Sequence, residues 1–229
     1  VDLGEYRFGH PVRITATTRI GTGEVVDIER EVELGGAIHS KGMLILSAAL
    51  SARYAPEIPL SLHGSVVFEQ SYSGVEGDSA SVAELCALLS SIANVPVRQS
   101  IACTGSVNQL GRIQAVGGVN DKIEGFYEVC RQRGFDGSHG VVIPRDNVKH
   151  LMLAEEIVES VKKGEFSIYA AQHIDEAIEI LTGNTAGDRG SDDQFPEGSV
   201  NRKVEDQLIH YARKRKSLLE TTNGDKQHE

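Results

Sequence analysis

The chain has 229 residues, of which 40% are hydrophobic and 24% charged, a composition typical of a globular protein with one large domain or two small ones. Its formal net charge of −10 at pH 7 argues against nucleic acid as a partner. The three cysteines share no close spacing, which predicts reduced thiols in a cytoplasmic protein and neither a disulfide framework nor a zinc site. No apolar run reaches the roughly 18 residues needed to cross a bilayer.

The first third of the chain is predicted to form strands and one helix. Apolar and polar residues alternate over 12–33 around a glycine-rich turn at 21–23, which predicts a β-hairpin. Residues 40–54 have apolar positions at helical spacing and end before Pro56. Residues 60–71 are predicted to form a strand.

Helices and strands follow beyond residue 80 without strict alternation, which favours an α+β fold. Ser81 and Glu84 fit a capping box at the first of these helices. The predicted elements are a helix at 80–93, a strand at 97–104, a helix at 119–133, a strand at 141–143, a weak helix at 146–163, a strand at 166–170 and a helix at 173–182.

The composition changes after residue 182, which predicts three regions. Residues 1–182 are interpreted as one folded domain, and 183–199, rich in turn formers and charges, as a linker. Residues 200–229 are predicted to form a basic helix and a disordered tail beginning at 221. The helix either docks on a partner or is a loosely attached tail. One face of it carries Val204, Leu208, Tyr211, Ala212, Arg215, Leu218 and Leu219.

The turn at 74–81 places Glu76 and Asp78 among glycines and serines directly before a helix. A helix N-terminus attracts anions, but two carboxylates would repel a phosphate. No Lys or Arg lies within ten residues of Ser79, and the chain has no P-loop pattern. Phosphate binding is therefore disfavoured.

A Ser-x-x-Lys pattern at Ser160 and Lys163 matches one motif of the β-lactamases. Neither Lys-Thr-Gly nor Ser-Asp-Asn accompanies it. We interpret this match as a coincidence at a charged helix end.

Ser79 and Lys122 are the remaining candidate pair. A serine becomes a nucleophile when a base takes its proton, and the histidines of this chain fall in no hydrolase signature. Lysine can be that base only when it is neutral. Lowering its pKa by ~3 requires about 4 kcal/mol of differential destabilisation of the ammonium, which burial among apolar groups can supply.

Helical spacing places Lys122 on the apolar side of the helix at 119–133, with Val119, Ile123, Phe126, Val129 and Cys130. Gly125 leaves room for another backbone one turn later. The alternative is a lysine at the margin of this stripe whose amine reaches solvent.

A serine before a helix is most often an N-cap, but here Asp78 and Ser81 can both serve as caps. Ser79 is therefore available for chemistry. Backbone N–H groups at the helix start could also stabilise an oxyanion.

Four separated motifs, 77-GDSAS-81, 103-CTG-105, 117-GGVNDKIEG-125 and 141-VVIPRDN-147, resemble the proteolytic domain of the Lon family. The similarity covers roughly residues 10–182 and is strongest to the B-type, Lon-related branch. The resemblance implies an α+β Lon protease domain with a ribosomal S5 domain 2-like topology.

The resemblance also implies a serine endopeptidase with a Ser–Lys dyad, Ser79 and Lys122, in which Thr104 helps to hold the amine. Asp78 would support the turn. Glu76 occupies a place where relatives of this branch carry an acid, and it either pairs with Lys122 in an inactive form or faces solvent.

The family implies protein or peptide substrates, a hexameric ring and no metal in the proteolytic site. ATP and Mg²⁺ are expected only for an ATPase module N-terminal to Val1, since the first residues resemble a mid-chain passage. Two alternatives remain open: a small-molecule kinase of the same broad superfamily (GHMP-kinase-like) that uses the turn for phosphate, and a catalytically inactive, ring-forming scaffold.

Overall fold

The computed structural model describes residue 4 and residues 7–225, which form a mixture of helices and strands. The first half contains β1 (Ile14–Ile20), β2 (Glu24–Asp27), α1 (Ile28–Glu31), α2 (Ala37–Tyr54), β3 (Leu62–Phe68), α3 (Ser81–Ala93), β4 (Ile101–Cys103) and β5 (Ser106–Val107). The second half contains β6 (Ile113–Gln114), α4 (Val119–Arg133), β7 (Gly140–Pro144), a 3-10 helix (Arg145–His150), α5 (Glu155–Lys162), β8 (Ser167–Ala171), α6 (Ile174–Thr182) and α7 (Val200–Asp225). The predicted α+β class is confirmed. None of the described helices is both long and apolar enough to cross a bilayer.

The strands form two three-stranded sheets and one short ribbon in the described part of the chain. In the first sheet β3 is central, antiparallel to β1 and parallel to β2. In the second sheet β7 is central and parallel to both β4 and β8. The ribbon pairs β5 with β6 in antiparallel orientation.

The second sheet separates two apolar cores. Successive side chains of β7 point to opposite faces, so Val142 joins the larger core while Val141 and Ile143 join the smaller one. The larger core contains residues of α2, α3, β3, α6 and the start of α7. The smaller core contains residues of α4, β7 and α5, together with Phe166. Because both faces are covered, β7 is apolar throughout its length.

The predicted hairpin at 12–33 is wrong, although β1 and β2 are both strands. The N–H groups of Gly21 and Gly23 donate to the carbonyls of Ser61 and Leu62, both at 2.9 Å, so β3 lies between β1 and β2. An alternating pattern identifies a strand but does not determine its neighbour. After Asp27 the chain forms one helical turn instead of continuing as a strand.

Most of the predicted helices and strands are confirmed, and α4 has the predicted limits. The weak helix predicted at 146–163 is instead a 3-10 helix and α5, separated by an extended segment. The close backbone approach predicted at Gly125 is also confirmed, since a Cβ atom there would overlap the carbonyl group of Gly9.

The capping box predicted for α3 is wrong. The N-cap residue is Ala80, and it makes no side-chain cap. The Ser81 hydroxyl accepts a hydrogen bond from the Val107 N–H at 2.9 Å, and Glu84 is buried beside His39. The start of α3 lies inside the protein, so its donors are satisfied by tertiary contacts and not by its own side chains.

The segment 183–199 forms neither helix nor strand, but it is packed against the fold. Phe195 is buried and lies under the Arg189 guanidinium, whose carbon is 4.2 Å from the ring centroid. Asn201, at the start of α7, is buried and accepts a hydrogen bond from the Tyr54 hydroxyl at 2.6 Å. The folded core therefore continues past residue 182.

The first half of α7 packs against the same chain, with Val200, Val204 and Leu208 in the larger core. Leu218 and Leu219 are exposed on the second half. The tail predicted to be disordered from residue 221 is helical to Asp225, and residues 226–229 lie outside the described part.

Leu208→Ala is expected to lower the free energy of unfolding by about 2–5 kcal/mol, because the side chain is only 1% exposed and its removal leaves a cavity. Leu219→Ala is the matched control, since this side chain is 55% exposed and its loss should change stability by less than ~0.5 kcal/mol. Urea denaturation of both variants and of the unaltered chain measures these free energies of unfolding. Equal stabilities would show that α7 is not part of the core.

Candidate active site

Three predicted site residues, carried by different elements, meet at the edge of the second sheet. Ser79 lies in the turn before α3, Thr104 directly follows β4, and Lys122 is in the first turn of α4. The Lys122 amine, Nζ, lies 2.9 Å from Ser79 Oγ and 3.2 Å from Thr104 Oγ1. Because α3 and α4 belong to different cores, the contact joins the two cores at this edge.

Thr104 is only 7% exposed, and its position is determined by backbone contacts. Its N–H donates to the Val142 carbonyl at 3.0 Å, which continues the sheet by one residue. Its hydroxyl donates to the Ser79 carbonyl at 3.2 Å. The lone pairs of this hydroxyl are therefore available to accept a hydrogen bond from Lys122, whether the amine is charged or neutral.

The Lys122 side chain is partly buried, and burial lowers the pKa of its amine below the ordinary value. The negative charge of Asp78 opposes this effect by raising the pKa. No carboxylate forms an ion pair with Lys122 within the described ranges. The amine contacts the Ser79 and Thr104 hydroxyls, so the predicted alternative of a side chain that extends away from the protein into solvent is not what the structure has.

The turn at Ser79 is attached to the loop that follows Thr104. The Gly105 N–H donates to the Ser79 carbonyl at 2.8 Å, and the Gly105 carbonyl accepts from the Val82 N–H at 3.1 Å. The N–H groups of Ser79 and Ala80 donate to no other described residue. These two donors lie next to the Ser79 hydroxyl and are available to a ligand.

Asp78 supports the turn, but it does not cap α3. Its carboxylate accepts a hydrogen bond from the Ser106 hydroxyl at 2.7 Å. Ser106 is buried and is a contact that the sequence analysis missed. The sequence contained one indirect signal for this contact. Asp78 and Ser81 could both have capped α3, so one of them was available for a different hydrogen bond.

Glu76 does not pair with Lys122, and the hypothesis of an inactive Glu76–Lys122 pair is wrong. The Glu76 carboxylate lies at the N-terminus of α2, where Oε1 accepts from the Ile38 N–H at 3.2 Å. A Cβ atom at Gly36 would overlap Oε2 of the same carboxylate. Glu76 therefore satisfies a free helix donor and complements the helix dipole, while it remains exposed to solvent.

The Ser160 and Lys163 pattern does not form a site, as expected. The Ser160 hydroxyl is buried and lies 2.9 Å from the Tyr127 hydroxyl. Lys163 is exposed at the end of α5.

A cleft of about 600 Å³ contains the Ser79, Thr104 and Lys122 side chains in its wall. Apolar side chains from several elements make up much of the rest, among them Ile14, Phe68, Val97, Phe126 and Val129. An apolar cleft with a few convergent polar groups is the usual form of a ligand site.

A family model described as the Lon protease (S16) C-terminal proteolytic domain matches residues 70–183, a range that contains all five predicted site residues. The chain belongs to the Lon proteolytic-domain family. The resemblance inferred from the four motifs is thereby confirmed.

Several relatives support this assignment. A protein of Escherichia coli that is named as a Lon protease homolog is 53% identical to this chain over 174 residues. These residues are 76% of this chain and 30% of the relative. A similarly named protein of Haemophilus influenzae is 44% identical over 86% of this chain and 33% of its own length. An archaeal Lon protease of Thermococcus kodakarensis is 35% identical over 58% of this chain and 19% of its own length. The chain thus spans about a third or less of the relatives that it matches.

The two acids of the turn, Asp78 and Glu76, should have different effects on the pKa of the Lys122 amine in this Lon domain. We expect Asp78→Asn to lower the pKa of Lys122 further, because the charge that raises it is removed. Glu76→Gln should leave that pKa unchanged, since Glu76 contacts α2 and not the amine.

The measurement is an NMR titration of the Lys122 side-chain carbon next to the amine, which reports protonation without requiring enzymatic activity. Thermal unfolding of both variants checks that the fold is intact. A downward shift in Glu76→Gln as large as that in Asp78→Asn would contradict the placement of Glu76.

Proposed function

We propose that this chain is the proteolytic module of an ATP-dependent Lon-type serine endopeptidase that degrades unfolded or damaged proteins. The observation that supports it most is the 2.9 Å contact between Ser79 Oγ and an amine whose pKa is lowered by burial. Such an amine can accept the serine proton near neutral pH more readily than an exposed lysine can.

In the proposed reaction, Ser79 Oγ attacks the scissile carbonyl carbon while Lys122 Nζ takes the hydroxyl proton. The carbonyl oxygen becomes an oxyanion, for which the N–H groups of Ser79 and Ala80 are available donors. Collapse of this intermediate breaks the C–N bond, and the leaving amine receives the proton from Lys122. An acyl ester on Ser79 remains.

The second half of the proposed reaction repeats the same proton transfers with water. Lys122 takes a proton from a water molecule, which attacks the ester carbonyl carbon. The ester C–O bond then breaks, Lys122 returns the proton to Ser79 Oγ, and the acid product is released. Thr104 is a positioning residue in this scheme, because its hydroxyl contacts both Lys122 Nζ and the Ser79 carbonyl. No step requires a metal ion.

The kinase alternative has less support. A phosphate at this turn would lie close to the Asp78 carboxylate, which is attached to Ser106 and cannot easily move away. The scaffold alternative makes no use of a lysine placed against a serine hydroxyl. The variants described below distinguish it from a peptidase.

We further propose that the S5 domain 2-like topology, the hexameric ring and the cytoplasmic location predicted from the sequence apply to the complete protein. ATP and Mg²⁺ would bind to an ATPase module of that longer protein and not to these 229 residues. The purified chain should then hydrolyse ATP no faster than buffer, as measured by phosphate release. A measurable rate that persists in Ser79→Ala would contradict the proposal.

Ser79→Ala and Lys122→Arg should each reduce cleavage of a fluorogenic peptide by about 100-fold or more, because one removes the nucleophile and the other replaces a neutral base by a permanent cation. Lys163→Arg, at an exposed position outside the cleft, is the matched control and should retain the rate. Circular dichroism confirms folding. Full activity of folded Ser79→Ala would eliminate the proposed mechanism.

The pH dependence of kcat/KM should follow the protonation of Lys122. The rate should rise with pH and its midpoint should lie below 10.5, the value for an ordinary lysine, because burial favours the neutral amine. Activity should therefore be lost as pH falls through the lowered pKa, where the ammonium cannot accept a proton. A rate that is independent of pH, or that rises on acidification, would exclude a lysine base.

A further inference from the structure

Four ionisable side chains lie together in the interior, outside the Ser79 cleft. They are Asp27 at the end of β2, Glu29 in α1, His39 in α2 and Glu84 in α3. Each is between 1% and 3% exposed. Lon-type catalysis as proposed above uses none of them.

Their polar atoms converge, and several of them have no hydrogen-bond partner of acceptable geometry among the described residues. His39 Nε2 lies 3.1 Å from Asp27 Oδ2, yet neither atom has a hydrogen-bond partner of acceptable geometry among the described residues. Glu29 Oε1 accepts from the Phe68 N–H at 2.9 Å, which leaves its Oε2 buried and unpartnered. Single ligand atoms of Asp27, Glu29 and His39 all lie within 4.8 Å of one another.

Acidic groups also outnumber basic groups in this cluster. The carboxylates of Asp27, Glu29 and Glu84 face a single imidazole, and no Lys or Arg side chain in the described ranges forms an ion pair with them. The backbone N–H of Arg30 approaches Asp27, but it carries no net charge. The single imidazole, when protonated, can compensate the charge of at most one of these three buried carboxyl groups, and a buried carboxylate without a compensating cation is strongly disfavoured.

We propose that Asp27, Glu29 and His39 bind one divalent first-row transition-metal ion, with Zn²⁺ as the reference member of this class. One imidazole nitrogen and two carboxylate oxygens are ligands that such ions accept. The 3.1 Å separation of Asp27 Oδ2 and His39 Nε2 suits two ligands at about 2.1 Å from a common ion. The ion's two positive charges balance the two ligating carboxylates.

Glu84 fits the role of an outer partner of the histidine ligand. Its Oε1 lies 3.7 Å from His39 Nδ1, on the side of the ring opposite to Asp27. Ligating histidines commonly direct their second nitrogen at a carboxylate, which sets the ring orientation. The phenyl ring of Phe68, with its centroid 5.6 Å from that of His39, packs against the imidazole edge-on.

The ion would stabilise the part of the fold that holds the nucleophile. Its ligands come from β2, α1 and α2, and Glu84 adds α3, whose first residue, Ser81, is two positions after Ser79. The proposed role is structural, since Ser79 and Lys122 are not among the ligands. The metal-binding test is therefore independent of peptidase activity.

The test uses the full 229-residue chain stripped with a chelator and then titrated with Zn²⁺ by calorimetry. We expect one ion per chain in a single tight step and a higher melting temperature with the ion than without it. Co²⁺ serves as a spectroscopic probe, whose visible absorption reports nitrogen and oxygen ligands. A folded, stripped chain that binds neither ion at millimolar concentration would overturn the proposal in favour of a metal-free acid–imidazole network.

Variants locate the site. Asp27→Asn and His39→Gln should each abolish the tight step and the Co²⁺ absorption, whereas His173→Gln should retain both. His173 is the matched control, because its Nδ1 also lies 3.0 Å from a carboxylate, that of Asp175, but outside the cluster. Ser79→Ala should bind the ion as the unaltered chain does. If either ligand variant fails to fold, the stoichiometry and the Co²⁺ spectrum of the unaltered chain still decide the question, and a tight step that persists in both folded variants would refute the assignment.

Discussion

The candidate site depends on an amine that is held against two hydroxyl groups, with no carboxylate of the described residues in contact with it. Burial disfavours the ammonium form of Lys122, and the charge of Asp78 partly offsets this effect. A carboxylate in direct contact would reverse the balance and stabilise the charged lysine. The Ser106 hydroxyl holds the Asp78 carboxylate by a hydrogen bond, so this acid acts on the amine through its charge alone. The pKa of Lys122 therefore depends on the hydrogen bond that holds the Asp78 carboxylate at Ser106.

The arrangement of the two cores gives this contact its rigidity. The second sheet is covered on both faces, with α3 in the core on one side and α4 in the core on the other. Ser79 and Lys122 therefore approach each other from separately packed elements, at the end of the edge strand β4. Hydrogen bonds from the Gly105 N–H and from the Thr104 hydroxyl connect the serine turn to this sheet. The chain also crosses α4 at Gly125, where Gly9 comes so close that a side chain would not fit.

Local patterns predicted most of the helices, and the structure brings the candidate residues Ser79, Thr104 and Lys122 together, but the patterns could not predict which elements are neighbours. The apolar stripe of α4 was evident from helical spacing, but the spacing left open whether the Lys122 amine lies against the protein or reaches solvent. The insertion of β3 between β1 and β2 is a long-range pairing that an alternating pattern does not encode. The polar contacts of Ser81 and Glu84 were mispredicted for the same reason, and the contact of the exposed Glu76 with α2 was missed, because each side chain serves an element distant in sequence.

The acids of the turn have separate structural tasks, and their charge has different consequences for different ligands. Glu76 satisfies a donor at the start of α2, and Asp78 joins the turn to Ser106. A phosphate would have to approach this turn as an anion and would be repelled by both carboxylates. A peptide carbonyl approaches as a neutral group, and its negative charge develops only after attack, beside backbone N–H groups of Ser79 and Ala80 that have no other described partner. The same two charges that oppose phosphate binding are therefore compatible with acyl transfer, provided that the amine of Lys122 is neutral when the substrate arrives.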